Sequence, residues 1–250
     1  MRHTTQEPAF ENRYDAGRKL AEKMGEFAGK NALVLAIPNG GVAVALGVAM
    51  AVGGDFDLVI SRKLPLPLSP EGGFGSLTDD GTIILDEAMV KHAGLTKQQI
   101  DYQVNRVRAN IKQRSLLYHK DRRPISISNR IVVIVDDGLA SGYTMKAAIA
   151  SIRKRNPAKV IAAVPVGPER VVDDIKVVAD RVVTCVIGIS PEFYVSDYYR
   201  TWYDVTDNEV LTCLKEFSIR RGGGNIKTAE KTPEIPTRGT YRRPHPGPGR

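Results

Sequence analysis

The apolar residues fall into two patterns. Unbroken aliphatic and β-branched runs of strand length occur at 32–37, 56–60, 131–135, 159–167 and 181–188. Runs of this kind, with no polar alternation, suit strands buried on both faces. Between them lie segments with helical spacing. Tyr14, Leu20, Ala21, Met24 and Phe27 mark an amphipathic helix over 11–27. Residues 42–52 are nearly all small and apolar, as in a buried helix. Ile100, Val104, Val107, Ile111 and Leu116/Leu117 form the stripe of the longest helix, 96–118, opened by a Thr96/Gln99 capping box. Further helices are predicted at 145–153, 170–178 and 207–217, the last carrying Val210, Leu211 and Leu214. Strands alternating with helices imply an α/β fold with a doubly wound, mainly parallel five-stranded sheet.

Three stretches interrupt the pattern. Residues 64–85 open with three Pro and three Gly and then regain β character, which predicts a flexible loop with a hairpin arm pairing 74–77 with 81–85. Residues 1–9 are expected to be disordered. Residues 218–250 form a Gly/Pro-rich tail with too few apolar groups to bury, and are expected to be disordered as well. The ordered domain is therefore placed at 10–217.

Charge sharpens the division. The formal net charge is +8, but eight Lys/Arg against two Glu lie from residue 219 onward, so the body is nearly neutral and the tail basic. A second basic concentration decorates the longest helix: Arg106, Arg108, Lys112 and Arg114, followed by Lys120, Arg122 and Arg123. It is read as a solvated face, with substrate attraction or a nucleic-acid surface as the alternatives. No run of about 18 apolar residues suggests a membrane span, and no signal peptide is expected at the start. Cys185 and Cys213 make neither a disulfide framework nor a zinc site, which points to reduced thiols in the cytoplasm.

The chemistry concentrates after the third strand, where Ile131–Val135 runs into Asp136-Asp137-Gly138-Leu139-Ala140-Ser141-Gly142-Tyr143-Thr144. Ligands of open α/β sheets sit beyond the carboxyl ends of the strands. A small-residue loop opening a helix there presents backbone N–H groups to a phosphate, and Ser141 and Thr144 add hydroxyls. Two carboxylates just before it suit ribose hydroxyls or a hydrated magnesium ion. Together they describe a site for a phosphorylated sugar. Capping of the next helix is the plainer explanation of two Asp, but it does not account for the whole combination.

This segment resembles the PRPP-binding motif of the type I phosphoribosyltransferase family: strand, two acids, three residues, then Thr or Ser, Gly, any residue, Thr. Asp136 and Asp137 match the acid pair, and Ala140, Ser141, Gly142, Tyr143 and Thr144 the 5-phosphate loop; Tyr143 stands where a second Gly is usual. The resemblance covers roughly 10–217 and implies transfer of a phosphoribosyl group from PRPP to a nitrogenous base, with Mg2+ held through Asp136 and Asp137, mainly by way of water. It implies a pyrophosphate loop at Asn39, Gly40 and Gly41, with Asn39 in place of the family's common Arg, and basic contacts from Arg62 and Lys63. It implies closure of 64–85 over the reaction centre and a C-terminal hood at 189–204, with Phe193 and Tyr194 as base-stacking candidates. Ala140 in place of the Asp of hypoxanthine-guanine enzymes, and the absence of a Lys after the following strand, disfavour 6-oxopurines and leave adenine in the lead. A homo-oligomer is expected. The rival reading is a PRPP-sensing, nucleic-acid-binding regulator that uses the basic helix or tail; a different PRPP- or ribose-phosphate-using enzyme is a third.

Overall fold

The computed structural model describes residues 2–3, 7–67, 69–120, 124–190 and 192–222. The strands are β1 (Arg2–His3), β2 (Leu33–Ala36), β3 (Asp55–Leu58), β4 (Ser61–Pro65), β5 (Gly73–Thr78), β6 (Ile83–Leu85), β7 (Ile131–Val135), β8 (Lys159–Pro168) and β9 (Arg181–Gly188). The helices are α1 (Arg13–Ala21), α2 (Gly41–Val52), α3 (Glu87–His92), α4 (Lys97–Tyr118), α5 (Tyr143–Arg153), α6 (Glu169–Val178) and α7 (Asp207–Gly222).

The main sheet has the order β1-β9-β8-β7-β2-β3 and is parallel throughout. Its five longer strands are those the apolar runs predicted, with the two-residue β1 added at the β9 edge. The reason for the runs is visible in the packing. Successive strand residues point to opposite faces, and both faces are covered. Val34, Ala36, Val133 and Val135 pack with Leu20, Val44 and Val48 of α1 and α2. Leu33, Leu35, Val132 and Ile134 pack with Met145, Ile149 and Ile175 of α5 and α6. α1 and α2 cross closely because a Cβ on Gly17 would stand 2.6 Å from the carbonyl oxygen of Val44.

Four expectations are corrected. The helix predicted over 11–27 is shorter; it ends at Ala21, and a 3-10 turn at Gly25–Phe27 carries Phe27 into the core. Residues 64–85, read as a flexible loop with a hairpin arm, contain the hairpin but join Ser61–Pro65 in a three-stranded antiparallel sheet, β4-β5-β6. Leu64, Phe74 and Leu77 are fully buried, so this sheet belongs to the core rather than swinging free of it. At the N-terminus, read as unstructured, Arg2–His3 pairs with β9. The last helix runs to Gly222, five residues past the predicted end; the remainder of the predicted tail lies outside the described residues.

Candidate functional site

A cleft of about 620 Å3 opens at the carboxyl ends of β2, β3 and β7. Ile37 and Pro38 line it after β2, Asp136 after β7, and Thr144 from the first turn of α5. The second sheet contributes Ser61, Arg62, Lys63 and Pro65, and α4 contributes Arg106, Val107 and Asn110. The sequence reading named Asp136, Thr144, Arg62 and Lys63. The basic residues of α4 were preferred as a solvated face, with substrate attraction as an alternative, and no residue of that helix was assigned to the site. Arg106 and Asn110 are one turn apart on one face, flanking the buried Val107. That spacing was readable; which way the face pointed was not.

The phosphate loop has the local form an anion needs. Gly142 is the N-cap of α5 at φ +78°, where a Cβ would meet the Val171 side chain at 2.8 Å, and no side chain caps the helix. The first-turn N–H groups therefore remain without an intrahelical or capping partner, at the positive end of the dipole. Ala140 and Ser141 are exposed beside them. Two hydroxyls from the second sheet hold the loop: Ser61 donates to the Thr144 carbonyl at 2.9 Å and Ser76 to the Thr144 hydroxyl at 3.3 Å. Tyr143 does not line the cleft. Burial and the neighbouring Asp86 push its phenol up, and Lys146 Nζ lies 5.2 Å from its ring centroid.

The two acids differ in surroundings. Asp136 lines the cleft; its Oδ1 accepts from the Asp137 N–H at 2.9 Å, and burial, then the charge of Asp137, pushes its carboxyl well above the usual range. Asp137 is turned to Arg13, whose Nε donates to its Oδ2 at 2.8 Å. Arg13 is itself buried, donates to the Tyr203 carbonyl at 2.9 Å, and lies 3.8 Å from the Trp202 ring centroid. Tyr199 donates its hydroxyl to the Asp137 carbonyl at 2.6 Å. The aromatic cluster thus encloses the guanidinium that pairs with Asp137. Phe193 and Tyr194, read as base-stacking candidates, do not line the cleft: Phe193 packs on Tyr198 with centroids 5.2 Å apart, and Tyr194 is largely exposed. No sequence signal marked Arg13, a cation on an otherwise ordinary helix.

The glycine turn after β2 is explained by close approach. A Cβ on Gly40 would stand 2.0 Å from Asp137 Oδ2, and one on Gly41 2.7 Å from the Val135 carbonyl. The two glycines thus let the turn, with its cis Pro38–Asn39 peptide, sit directly on the acid pair. Asn39 is turned away from the cleft. Its amide donates to the Val205 carbonyl at 2.8 Å and to Asp207 at 3.0 Å, and Arg114 donates back to its Oδ1 at 2.7 Å. Arg114 also pairs with Asp207, which accepts from Tyr118 as well.

Arg62 and Arg106 have no ion-pair partner among the described residues. Burial and the like charge of Arg114 push the Arg62 guanidinium below the ordinary arginine range. Lys63 donates to the Glu71 carbonyl at 2.6 Å. Cations without carboxylate partners and a free helix N-terminus make a cleft suited to a polyanion. Among the described residues no three acids, His or Cys gather to cage a metal. One cleft acid beside an anion site instead suits magnesium, which is bound by one or two carboxylates together with substrate phosphates and water.

A parallel sheet with an anion cradle at its carboxyl edge defines an α/β protein that takes a phosphorylated ligand there. The family model described as "Phosphoribosyl transferase domain" matches residues 8–197, and the chain belongs to that family. It is 36% identical over 205 residues to the "Putative phosphoribosyl transferase Rv0571c" of Mycobacterium tuberculosis (strain ATCC 25618 / H37Rv), covering 82% of this chain and 46% of that protein. The chain thus spans about half the length of the curated relatives it matches. Among solved structures, TT1426 from Thermus thermophilus superposes with a TM-score of 0.68 at 31% identity, over 87% of this chain and 99% of that one.

Proposed function

We propose that this protein transfers the 5-phosphoribosyl group of PRPP to a nitrogenous base, with magnesium, and releases pyrophosphate. The observation that carries the reading is the cleft itself, in which Asp136, Thr144 and the cations of β4 meet at the carboxyl edge of the sheet. The N–H groups opening α5 hold the 5-phosphate, with Ser141 and Thr144 adding hydroxyls. Asp136 orients the ribose hydroxyls or the metal's water, and Asp137 contributes through the same hydrated ion. Arg62 and Lys63 meet pyrophosphate. In the reaction the C1–O bond breaks and its electron pair leaves on the pyrophosphate oxygen. The base nitrogen forms the new C1–N bond, and its proton passes to solvent. Magnesium, when bound, supplies neutralisation of the leaving charge. The chain's share is positioning and electrostatics.

The acceptor is assigned to bases other than 6-oxopurines, adenine first, because Ala140 offers no carboxylate at the position where the hypoxanthine-guanine type carries one. A homo-oligomer in the cytoplasm completes the reading. The regulator alternative draws its support from the basic helix, and two of that helix's cations are engaged elsewhere, Arg106 in the cleft and Arg114 with Asp207.

The test is pyrophosphate release from PRPP with magnesium across a panel of purine and pyrimidine bases. Release that depends on one base is expected and names the acceptor. Measurable PRPP binding with no release for any base turns the reading to the regulator or to an acceptor outside the panel.

A further inference from the structure

We propose that α4 supplies the cationic wall of the pyrophosphate subsite, with Arg106 meeting the leaving pyrophosphate and Asn110 hydrogen-bonding beside it. The inference deepens the PRPP reading of the cleft and rests on it.

The loop that the resemblance assigns to pyrophosphate carries Asn39 where a cation is common, and the Asn39 amide is spent on Val205 and Asp207. The subsite therefore needs positive charge from elsewhere. The nearest candidate by contact, Arg114, touches Asn39 but is paired with Asp207. Lys63 also lines the cleft, but as an ammonium already donating to a carbonyl on its own hairpin it brings a point charge and no fork. Two guanidinium groups remain in the cleft without a carboxylate partner among the described residues, Arg62 from β4 and Arg106 from α4.

Arg106 is placed there by helix geometry. Val107 and Val104 are buried against the core, which fixes the rotation of α4 about its axis. Arg106 and Asn110, four residues apart, then fall together on the cleft edge. Residues 97–118 include a single acid, Asp101, and it lies outside the cleft lining, so nothing on α4 cancels the charge there. A guanidinium fork matches two phosphate oxygens at once, whereas an ammonium acts as a point charge. Arg62 and Arg106, from two separate elements, thus bring two forks to one polyanion. The bond broken is the C1–O bond to pyrophosphate, so charge neutralised at this wall lowers the barrier by stabilising the leaving oxygen.

Three ligands separate the possibilities by calorimetry on the full chain with magnesium: PRPP, inorganic pyrophosphate and ribose 5-phosphate. Arg106→Ala is expected to weaken PRPP and pyrophosphate by about 10- to 100-fold, the range for a lost hydrogen bond to a charged group. Ribose 5-phosphate affinity stays unchanged, because the 5-phosphate sits on α5. Arg106→Lys recovers part of the loss, and Asn110→Ala gives a smaller one. Arg106 is exposed and has no ion pair among the described residues, so thermal unfolding of both Arg106 variants matches that of the unaltered chain. If Arg106→Ala binds pyrophosphate as tightly as the unaltered protein, α4 is no part of the subsite, while PRPP binding by the unaltered chain still supports the functional reading. If the unaltered chain binds neither PRPP nor ribose 5-phosphate, both the inference and the reading beneath it fall.

Discussion

Asp136 and Asp137 are adjacent in the chain but stand in different electrostatic settings. Asp136 faces the cleft, whereas Asp137 is locked by Arg13, with side-chain exposures of 7% and 15% for Arg13 and Asp137. Breaking a buried pair by removing one partner costs about 3–5 kcal/mol, because the remaining charge is stranded. Arg13→Met is therefore expected to lower the free energy of chemical unfolding by an amount of that order, and pairing it with Asp137→Asn should restore most of the loss. A single Arg13→Met variant as stable as the unaltered protein would show that the pair contributes little. Arg13→Lys recovers little, since a lysine has neither the planar face stacked on Trp202 nor the fork reaching the Tyr203 carbonyl. At this scale the sequence was partly readable. The acids and Thr144 announced themselves through a local motif. Arg13 and Arg106 did not, because each takes its role from a partner far along the chain, and periodicity says nothing about that.

At the scale of elements, the parallel sheet was legible for a simple reason: strands covered on both faces leave short apolar, β-branched runs, and their alternation with helical segments separates them from the buried helix at Gly41–Val52. The second sheet was harder to read. Its proline and glycine content suggested a loose loop, yet Gly75, at φ +150°, is needed where a Cβ would stand 2.3 Å from the Ile84 carbonyl. The β5–β6 turn is held by Asp80, which accepts from the Thr82 N–H at 3.0 Å and the Thr82 hydroxyl at 2.7 Å, with Thr78 as a further donor. Burial opposes ionisation of Asp80, but these hydrogen bonds and Lys154 outweigh it and hold the carboxyl down at about 2. Relative to an ordinary Asp at 3.8, the folded state therefore favours the charged form. Its contribution is complete above that value and fades as pH falls from there toward 2. The group is partly exposed, so the contribution is expected below about 1 kcal/mol. Chemical unfolding of the unaltered chain and Asp80→Asn at a series of pH values tests this: the gap between them should close as pH drops through that window. A gap independent of pH would mean that shape, not charge, holds the turn.

At the scale of the whole molecule, the cleft is shared by the main sheet, the antiparallel sheet, α4 and the first turn of α5. Ligand binding should therefore be felt in global stability rather than in one loop. A ligand at about 100 times its dissociation constant adds about 2.7 kcal/mol to the folded state, which for a chain of this size is a rise of roughly 5–10 °C in Tm. PRPP with magnesium is expected to produce such a rise, and chelating the metal with EDTA to remove most of it. A PRPP-induced shift that survives chelation would exclude a role for the divalent ion in binding.

The brace on the acid pair spans almost the whole chain: Arg13 reaches Tyr203, 190 positions away, and Asn39 reaches Val205, 166 positions away. This has a consequence for synthesis on the ribosome. The sheet and its cleft can be laid down strand by strand, but the stretch that fixes Arg13 and the glycine turn emerges only after β9. A nascent chain therefore carries an unfinished site until α7 begins to leave the tunnel. A product stalled anywhere before that point has the strands without the clasp.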